Sequence, residues 1–398
     1  MSLRTLIGTL GVSLFVLVLP GWGVAGDFNG DHKDDILWRN SKTGTVSAWL
    51  MNGGVIQSNA GGWNLGTDWV IQGVGDFNGD GTSDVLWRNT TTGVVTIWLM
   101  KGGAVSSTVG GWAIGSEWII QGVGDFNGDG KSDILWRSKV TGQVTMWLMN
   151  GGTIAANLGG WMIGLEWTIQ GVGDFNGDGK ADILWRDGVT GQVSIWLMNG
   201  ATLVSNVGGW KIASNWAIQG VGDFNGDRKA DILWRDNATG QVTMWLMNGG
   251  TLAANIGGWM IASNWAVQGI GDFNGDGKAD ISWRDKTTGQ VTVWLMNGGT
   301  VASNLGGWIV GSDSVIQGSP PRTITLTWND SSSSETGFKI ERSPNGSTNW
   351  TQIGTTRAGV VTFADAGLAP LTTYYYRVRA YNATSNSAYS NVASVTTR

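Results

Sequence analysis

Six times along the chain an aspartate opens a nine-residue stretch in which oxygen-bearing side chains recur at every second position. The first position holds Asp27, Asp76, Asp125, Asp174, Asp223 and Asp272, and the third Asn29, Asn78, Asn127, Asn176, Asn225 and Asn274. Asp31, Asp80, Asp129, Asp178, Asp227 and Asp276 stand fifth; Asp35, Asp84, Asp133, Asp182, Asp231 and Asp280 stand ninth. The seventh residue, Lys33, Thr82, Lys131, Lys180, Lys229 or Lys278, offers a backbone carbonyl. Alternate oxygens on a tight turn are what a hard cation such as calcium takes, six to eight at a time. Magnesium prefers fewer protein ligands and more water. The bland alternative is a set of Asx turns without metal, but neutral turns do not need three carboxylates apiece. Calcium in up to six structural sites is the expectation. Six such ions would take the formal charge from −5 to +7. His32 and Arg228 replace glycine at position six, where a left-handed backbone is expected, so those two sites should be weaker.

Little else in the chain offers reactivity. It has no cysteine and one histidine, His32, which removes disulfides, thiol catalysis and imidazole metal sites. Charged residues make up 14% of the chain with a net −5, so there is no basic footprint for nucleic acid. Acids outside the repeated turns, such as Asp68, Glu117 and Glu166, have no partner for acid–base work. The expectation is a protein that is not an enzyme. A polysaccharide lyase or hydrolase on the same scaffold, or a purely structural surface protein, is the alternative.

The acidic turns recur every 49 residues from Asp27 to Asp272 without insertion, and the next expected Asp is Pro321. In the fourth copy, residues 168–172, 182–186 and 192–198 read as strands, and Asn199-Gly200 as a hairpin turn into a weaker fourth strand from Thr202. Four short strands without helical period make one propeller blade, so the fold expected is all-β, a six-bladed β-propeller, with a seven-bladed or incomplete ring as alternative. The first copy begins at its acidic turn and lacks an innermost strand. Residues 315–317 are expected to supply it by pairing with residues 35–39. Residues 1–25, with Arg4 ahead of an apolar run, read as an export signal. The propeller is placed at 26–318, a Pro-rich linker at 319–322, and a small β-sandwich with alternating strands at 323–398, hanging from the acidic-turn edge.

The Asp-x-Asn-x-Asp-x-x-x-Asp turns resemble those of FG-GAP or VCBS repeats, the integrin-type β-propellers. That resemblance implies calcium in each loop between the innermost strand and the next. Leu368-x-Pro370-x-Thr372-x-Tyr374 and Tyr376-Arg377-Val378 resemble the tyrosine-corner strand of fibronectin type III domains, here without a first strand.

Of 26 tryptophans, 23 lie in the repeats, four per full copy as in Trp185, Trp196, Trp210 and Trp216, and an arginine follows the first of them. Packing between twisted sheets accounts for most. One per copy is assigned to binding, since flat indoles stack on sugar C–H groups. Arg186, Trp210, Asn215 and Trp216 are expected to line a groove between blades. Related propeller lectins bind sugars between blades, and the resemblance implies such a site. The resulting expectation is a monomeric, secreted or cell-surface module for carbohydrate binding or cell adhesion. Its partner is a glycan or extracellular protein, with no nucleic acid and no membrane span in the mature form.

Overall fold

A computed structural model describes residues 25–311, 314–315, 322–330, 335–368 and 373–396. Every regular element among them is a strand. In the fourth repeat these are Trp167–Gly173, Asp182–Asp187, Gln192–Asn199 and Thr202–Lys211, paired antiparallel in chain order. The sequence-based strands are extended by one or two residues at their ends. The same order of strands makes the sheets of the second, third, fifth and sixth repeats. The middle strands alternate Val, Ile and Leu with Trp and are buried on both sides, as befits a sheet sandwiched between neighbours. A register shift between Ile169 and Gly171 lets Gln170 bulge from the inner strand, which increases local twist.

Neighbouring sheets meet face to face. One apolar cluster joins Phe175, Leu184 and Val193 of the fourth repeat to Ile218, Trp234 and Trp245 of the fifth. Inner strands approach closely because they carry glycine: a Cβ on Gly122 would lie 2.4 Å from a Val172 methyl. Farther out, five of the six second-strand tryptophans, Trp38, Trp136, Trp185, Trp234 and Trp283, lie beneath an arginine of the preceding repeat, as with Arg137 over Trp185 at 5.4 Å. The third tryptophan of one repeat meets the second of the next edge-on, as with Trp161 and Trp196 at 5.9 Å. All four tryptophan types therefore serve packing, and the third and fourth types remain half-buried.

The sixth repeat makes these same contacts to the first. Arg284 stands 5.8 Å over Trp38, Trp308 meets Trp49 at 5.9 Å, and Phe273 and Val291 share a cluster with Ile36 and Trp38. The first sheet has a fifth strand, because its inner position is shared by both ends of the repeat region. Ser314–Val315 pairs with Asn40 and Arg39, and Ala25–Gly26 with Ile36 and Asp35. The expected pairing of Val315 is present, and residues 316–317 lie outside the described residues. The N-terminal contribution was not expected. The boundary placed after Ala25 falls inside this strand, and residues 1–24 also lie outside the description.

The C-terminal sandwich has a two-stranded sheet, Arg322–Thr327 with Thr362–Leu368, and a four-stranded sheet centred on Gly337–Ser343 and Thr373–Tyr381. The first strand begins on Arg322, the last residue of the expected linker. Trp328, Phe338, Ile340, Tyr376 and Val378 fill its core. Lys139 in the third repeat is within electrostatic reach of Asp365 and Arg342. That turn lies at the edge opposite the acidic turns, not at the acidic-turn edge where the sandwich was expected.

The indole N–H groups of Trp38, Trp87, Trp136, Trp185, Trp234 and Trp283 are buried and have no acceptor. Shape rather than hydrogen bonding therefore selects tryptophan there. Trp185→Phe should cost less than about 1.5 kcal/mol, and Trp185→Ala about 3–5 kcal/mol, read from denaturant unfolding. A loss from the phenylalanine variant as large as from alanine would show that the N–H has a partner.

Candidate functional site

Each acidic turn is a closed hydrogen-bonded loop. In the fourth copy Asp174 Oδ1 accepts the N–H groups of Gly177 at 2.6 Å and Asp178 at 3.2 Å, and Oδ2 accepts that of Gly179 at 2.7 Å. Asn176 Oδ1 accepts from Asp178 N, and Asp178 Oδ1 from Lys180 N. Asp182 heads the second strand and has no exposure. Its Oδ2 accepts from Phe175 N at 2.9 Å and its Oδ1 from Met198 N at 2.8 Å, so it ties the loop to the third strand. Burial pushes the Asp182 carboxyl up to about 7 against those two bonds, with the charges of Asp174 and Asp178 adding to the rise. Asp35, Asp84, Asp231 and Asp280 are likewise pushed to about 7 by burial, and Asp133 to about 6.

The donor chemistry fits a hard cation. A carboxylate oxygen that accepts one or two N–H groups keeps lone-pair capacity on its other side, and first, third and fifth residues all present oxygen. A cation already stands by the fifth residue: the Lys180 ammonium is 3.9 Å from Asp178 Oδ2, and Lys33, Lys229 and Lys278 repeat the pair at 3.6–3.8 Å. Among the described residues no three acid or histidine side chains gather tightly enough to hold a metal ion on their own. The loops thus have the chemistry of a hard-cation site in a looser arrangement than a coordination shell, with the ninth aspartate committed to backbone.

Position six is left-handed in every copy. His32 and Arg228 adopt φ of 63° and 64°, beside Gly179 at 81°, and their N–H groups bond the first aspartate as the glycines do. The loop shape survives at the steric cost expected of a side chain there. The second loop differs at position seven, where Thr82 donates its hydroxyl towards Asp80 at 2.5 Å.

The groove residues are placed as follows. Arg186 is 4% exposed and donates to the carbonyls of Trp216 at 2.5 Å, Ala213 at 3.0 Å and Ile212 at 3.2 Å. It clamps the link to the next repeat, so its donors face backbone rather than a sugar. Asn215 bonds the Asp236 side chain. Trp210 and Trp216 flank the same apolar cluster and keep part of their rings at the surface. Asp68, Glu117 and Glu166, the isolated acids, lie within electrostatic reach of the clamping Arg39, Arg88 and Arg137. Two features escaped sequence reading. The second-position phenylalanines, such as Phe175, are completely buried anchors. Asp34, where other repeats have Ser or Ala, accepts the Asp272 N–H at 2.8 Å across the sixth-to-first interface. Its departure from the repeat pattern at position eight was the visible signal.

No curated protein sequence matches the chain. Solved structures with an overall likeness include a dihydro-heme d1 dehydrogenase, NirN (10% identity, TM-score 0.36, covering 92% of this chain and 74% of that one). The V. cholerae biofilm matrix protein Bap1 follows at 13% identity and TM-score 0.28, covering 94% and 67%. The chicken CNTN1 FN1-FN3 domains align at 11% identity and TM-score 0.18, covering 83% and 98%. These scores carry no functional information. Family models are more specific. A fibronectin type III domain is found at residues 313–396. FG-GAP-like repeats match residues 27–87, 76–136, 125–185, 174–234 and 223–283, windows that together contain all six acidic turns. Matched over more than half its length, the chain belongs to the FG-GAP-like repeat family and ends in a fibronectin type III domain.

Proposed function

We propose that the six sheets are the blades of one closed six-bladed β-propeller, stabilised by calcium in its acidic turns. In this reading the chain acts outside the cell as a non-catalytic carbohydrate-binding or adhesion module, with the fibronectin type III domain as spacer. Closure is supported by the sixth repeat's contacts to the first and by the inner strand position that both ends of the repeat region share. One observation carries the binding role: the half-buried pair of Trp210 and Trp216 beside an interblade link, which recurs from repeat to repeat. Identical weak sites on one face gain strength together against a repetitive polymer. The isolated acids support the absence of catalysis, since each answers a clamping arginine. Asp, Asn and the seventh-position carbonyl of each turn would hold the cation, whose chemistry is charge neutralisation.

Chelation should lower the melting temperature by on the order of 10 °C or more, because each filled site contributes about 2.7 kcal/mol at a hundredfold excess of ligand over Kd. Calcium should restore it better than magnesium. A melting curve indifferent to chelator would remove the metal from this reading.

Glycan arrays probed with the full chain should give calcium-dependent signals. Trp216→Ala, or the same change at Trp69, Trp118, Trp167 or Trp265, should weaken binding a few-fold while the fold persists. Unfolding of each variant would assign these rings to packing alone.

A further inference from the structure

The seventh-position lysines occupy a place that a turn residue does not require. Four of the five, Lys33, Lys180, Lys229 and Lys278, reach back to the fifth aspartate of their own loops, and the stems of all five, Lys131 included, lie over the fourth-position glycine of the preceding loop. Lys180 carbons stand 3.4 Å from where a Gly128 Cβ would be, Lys229 carbons 3.4 Å from Gly177, and Lys33 carries the pattern to Gly275 at 3.2 Å. The ammonium lies 3.6–3.9 Å from the carboxylate in the four pairs of this kind. Lysine and aspartate there are both part-exposed, with side-chain exposures of 23–26% and 32–39%. The second loop has Thr82 instead. Its methyl lies 3.4 Å from the corresponding point on Gly30, and its hydroxyl bonds Asp80 and the Met100 carbonyl. Lys101 also acts on Asp80, but from the end of the third strand rather than from within the loop.

We propose that the seventh-position lysine is a tethered rival cation: it neutralises the fifth aspartate while the loop is empty, and sets the loop's affinity for a divalent cation below that of the Thr82 loop. The proposal rests on the reading of the loops as cation sites. The fifth aspartate must release the ammonium to take a dication, and the lysine stem is seated on the neighbouring loop. Occupancy of one loop therefore moves a side chain packed on the preceding one. Each pair is part-exposed, so the rivalry is modest, about two- to fivefold per loop. Modest rivals repeated around the molecule give a graded response to cation concentration instead of uniformly tight sites.

The test is calcium binding by the full chain, in competition with a fluorescent chelator. One variant changes Lys33, Lys180, Lys229 and Lys278 to Met, which keeps the stem and removes the charge. A second changes Lys42, Lys139, Lys211 and Lys286 to Met, the same net charge removed at the opposite edge. The first should raise mean affinity about two- to fivefold, and the second should leave it nearly unchanged. Thr82→Lys should lower it, whereas Thr82→Val should not. Equal gains from the two fourfold variants would reduce the effect to net charge and overturn the proposal, as would no gain from either. If the fourfold loop variant does not fold, Lys180→Met and Thr82→Lys decide between the same outcomes with smaller shifts. A wild-type chain that binds no calcium removes the underlying reading itself, an outcome distinct from binding that ignores the lysines.

Discussion

A carboxylate without solvent exposure heads the second strand of every repeat, and the rest of the repeat is arranged around it. Burying a charge is costly unless it is hydrogen-bonded. Asp182 meets that demand with Phe175 N from the loop and Met198 N from the third strand. One side chain thus fixes the loop, the entry of the second strand and the register of the third. Phe175 is held in turn where its ring is fully buried and where its carbonyl accepts Gly249 N from the next repeat. The local constraint becomes an interface constraint. The first aspartate continues the chain: the Asp174 carbonyl accepts Ala230 N of the fifth repeat at 2.6 Å, and five equivalent bonds join the other neighbours. The acidic turn is therefore structural before any cation is considered.

The outer part of each interface follows a different logic. Large rings fill the widening gap between twisted sheets, and the arginine that follows the first tryptophan serves two neighbours at once. Its guanidinium lies over an indole of the next repeat while its N–H groups bond the carbonyls of the link. Burial pushes the guanidinium down, to about 10 at Arg137. A planar, forked cation matches three carbonyls and a ring face together, which a lysine ammonium would not do. These arginines could not also serve as sugar ligands, so any glycan contact falls to the half-buried third and fourth tryptophans.

Strands, turns and the 49-residue period were legible in sequence because they are local. Alternation sets the faces of the Gln192–Asn199 strand, and Asn199-Gly200 the turn after it. The oxygen spacing of the acidic turns was equally plain. What could not be read was how each oxygen divides its bonds between backbone and ligand, since the partner of Asp182 Oδ1, Met198 N, lies 16 residues away. Strand order brings Arg186 and Trp216 to the same edge of the sheets, which points to a groove. The burial of Arg186 and its carbonyl partners depend on how consecutive sheets stack, which no single repeat reveals. The lysine seat over the preceding loop escaped for the same reason.

Asp34 marks where the repeat stops being a repeat. Five of the six interfaces join consecutive stretches of one chain, so the link between them restrains the two sheets. At the sixth-to-first interface the chain that continues into the first sheet contributes Ser314–Val315, which is not continuous with the rest of that sheet, so loop-closure entropy must there be met by contacts. At that interface position eight is an aspartate, whose backbone N–H donates to the Asp272 carbonyl at 2.7 Å, as in every other copy, and whose side chain accepts the Asp272 N–H at 2.8 Å. The added bond carries a penalty: burial, with Asp272 and Asp27 nearby, pushes the Asp34 carboxyl up to about 7. Ser or Ala would avoid that cost, and they stand at the position in the other five repeats. Beside it, Ala25–Gly26 and Ser314–Val315 divide one strand position between the two ends. Neither piece alone gives the first sheet the inner strand that its neighbours have, so the first repeat is complete only when both ends of the repeat region are in place.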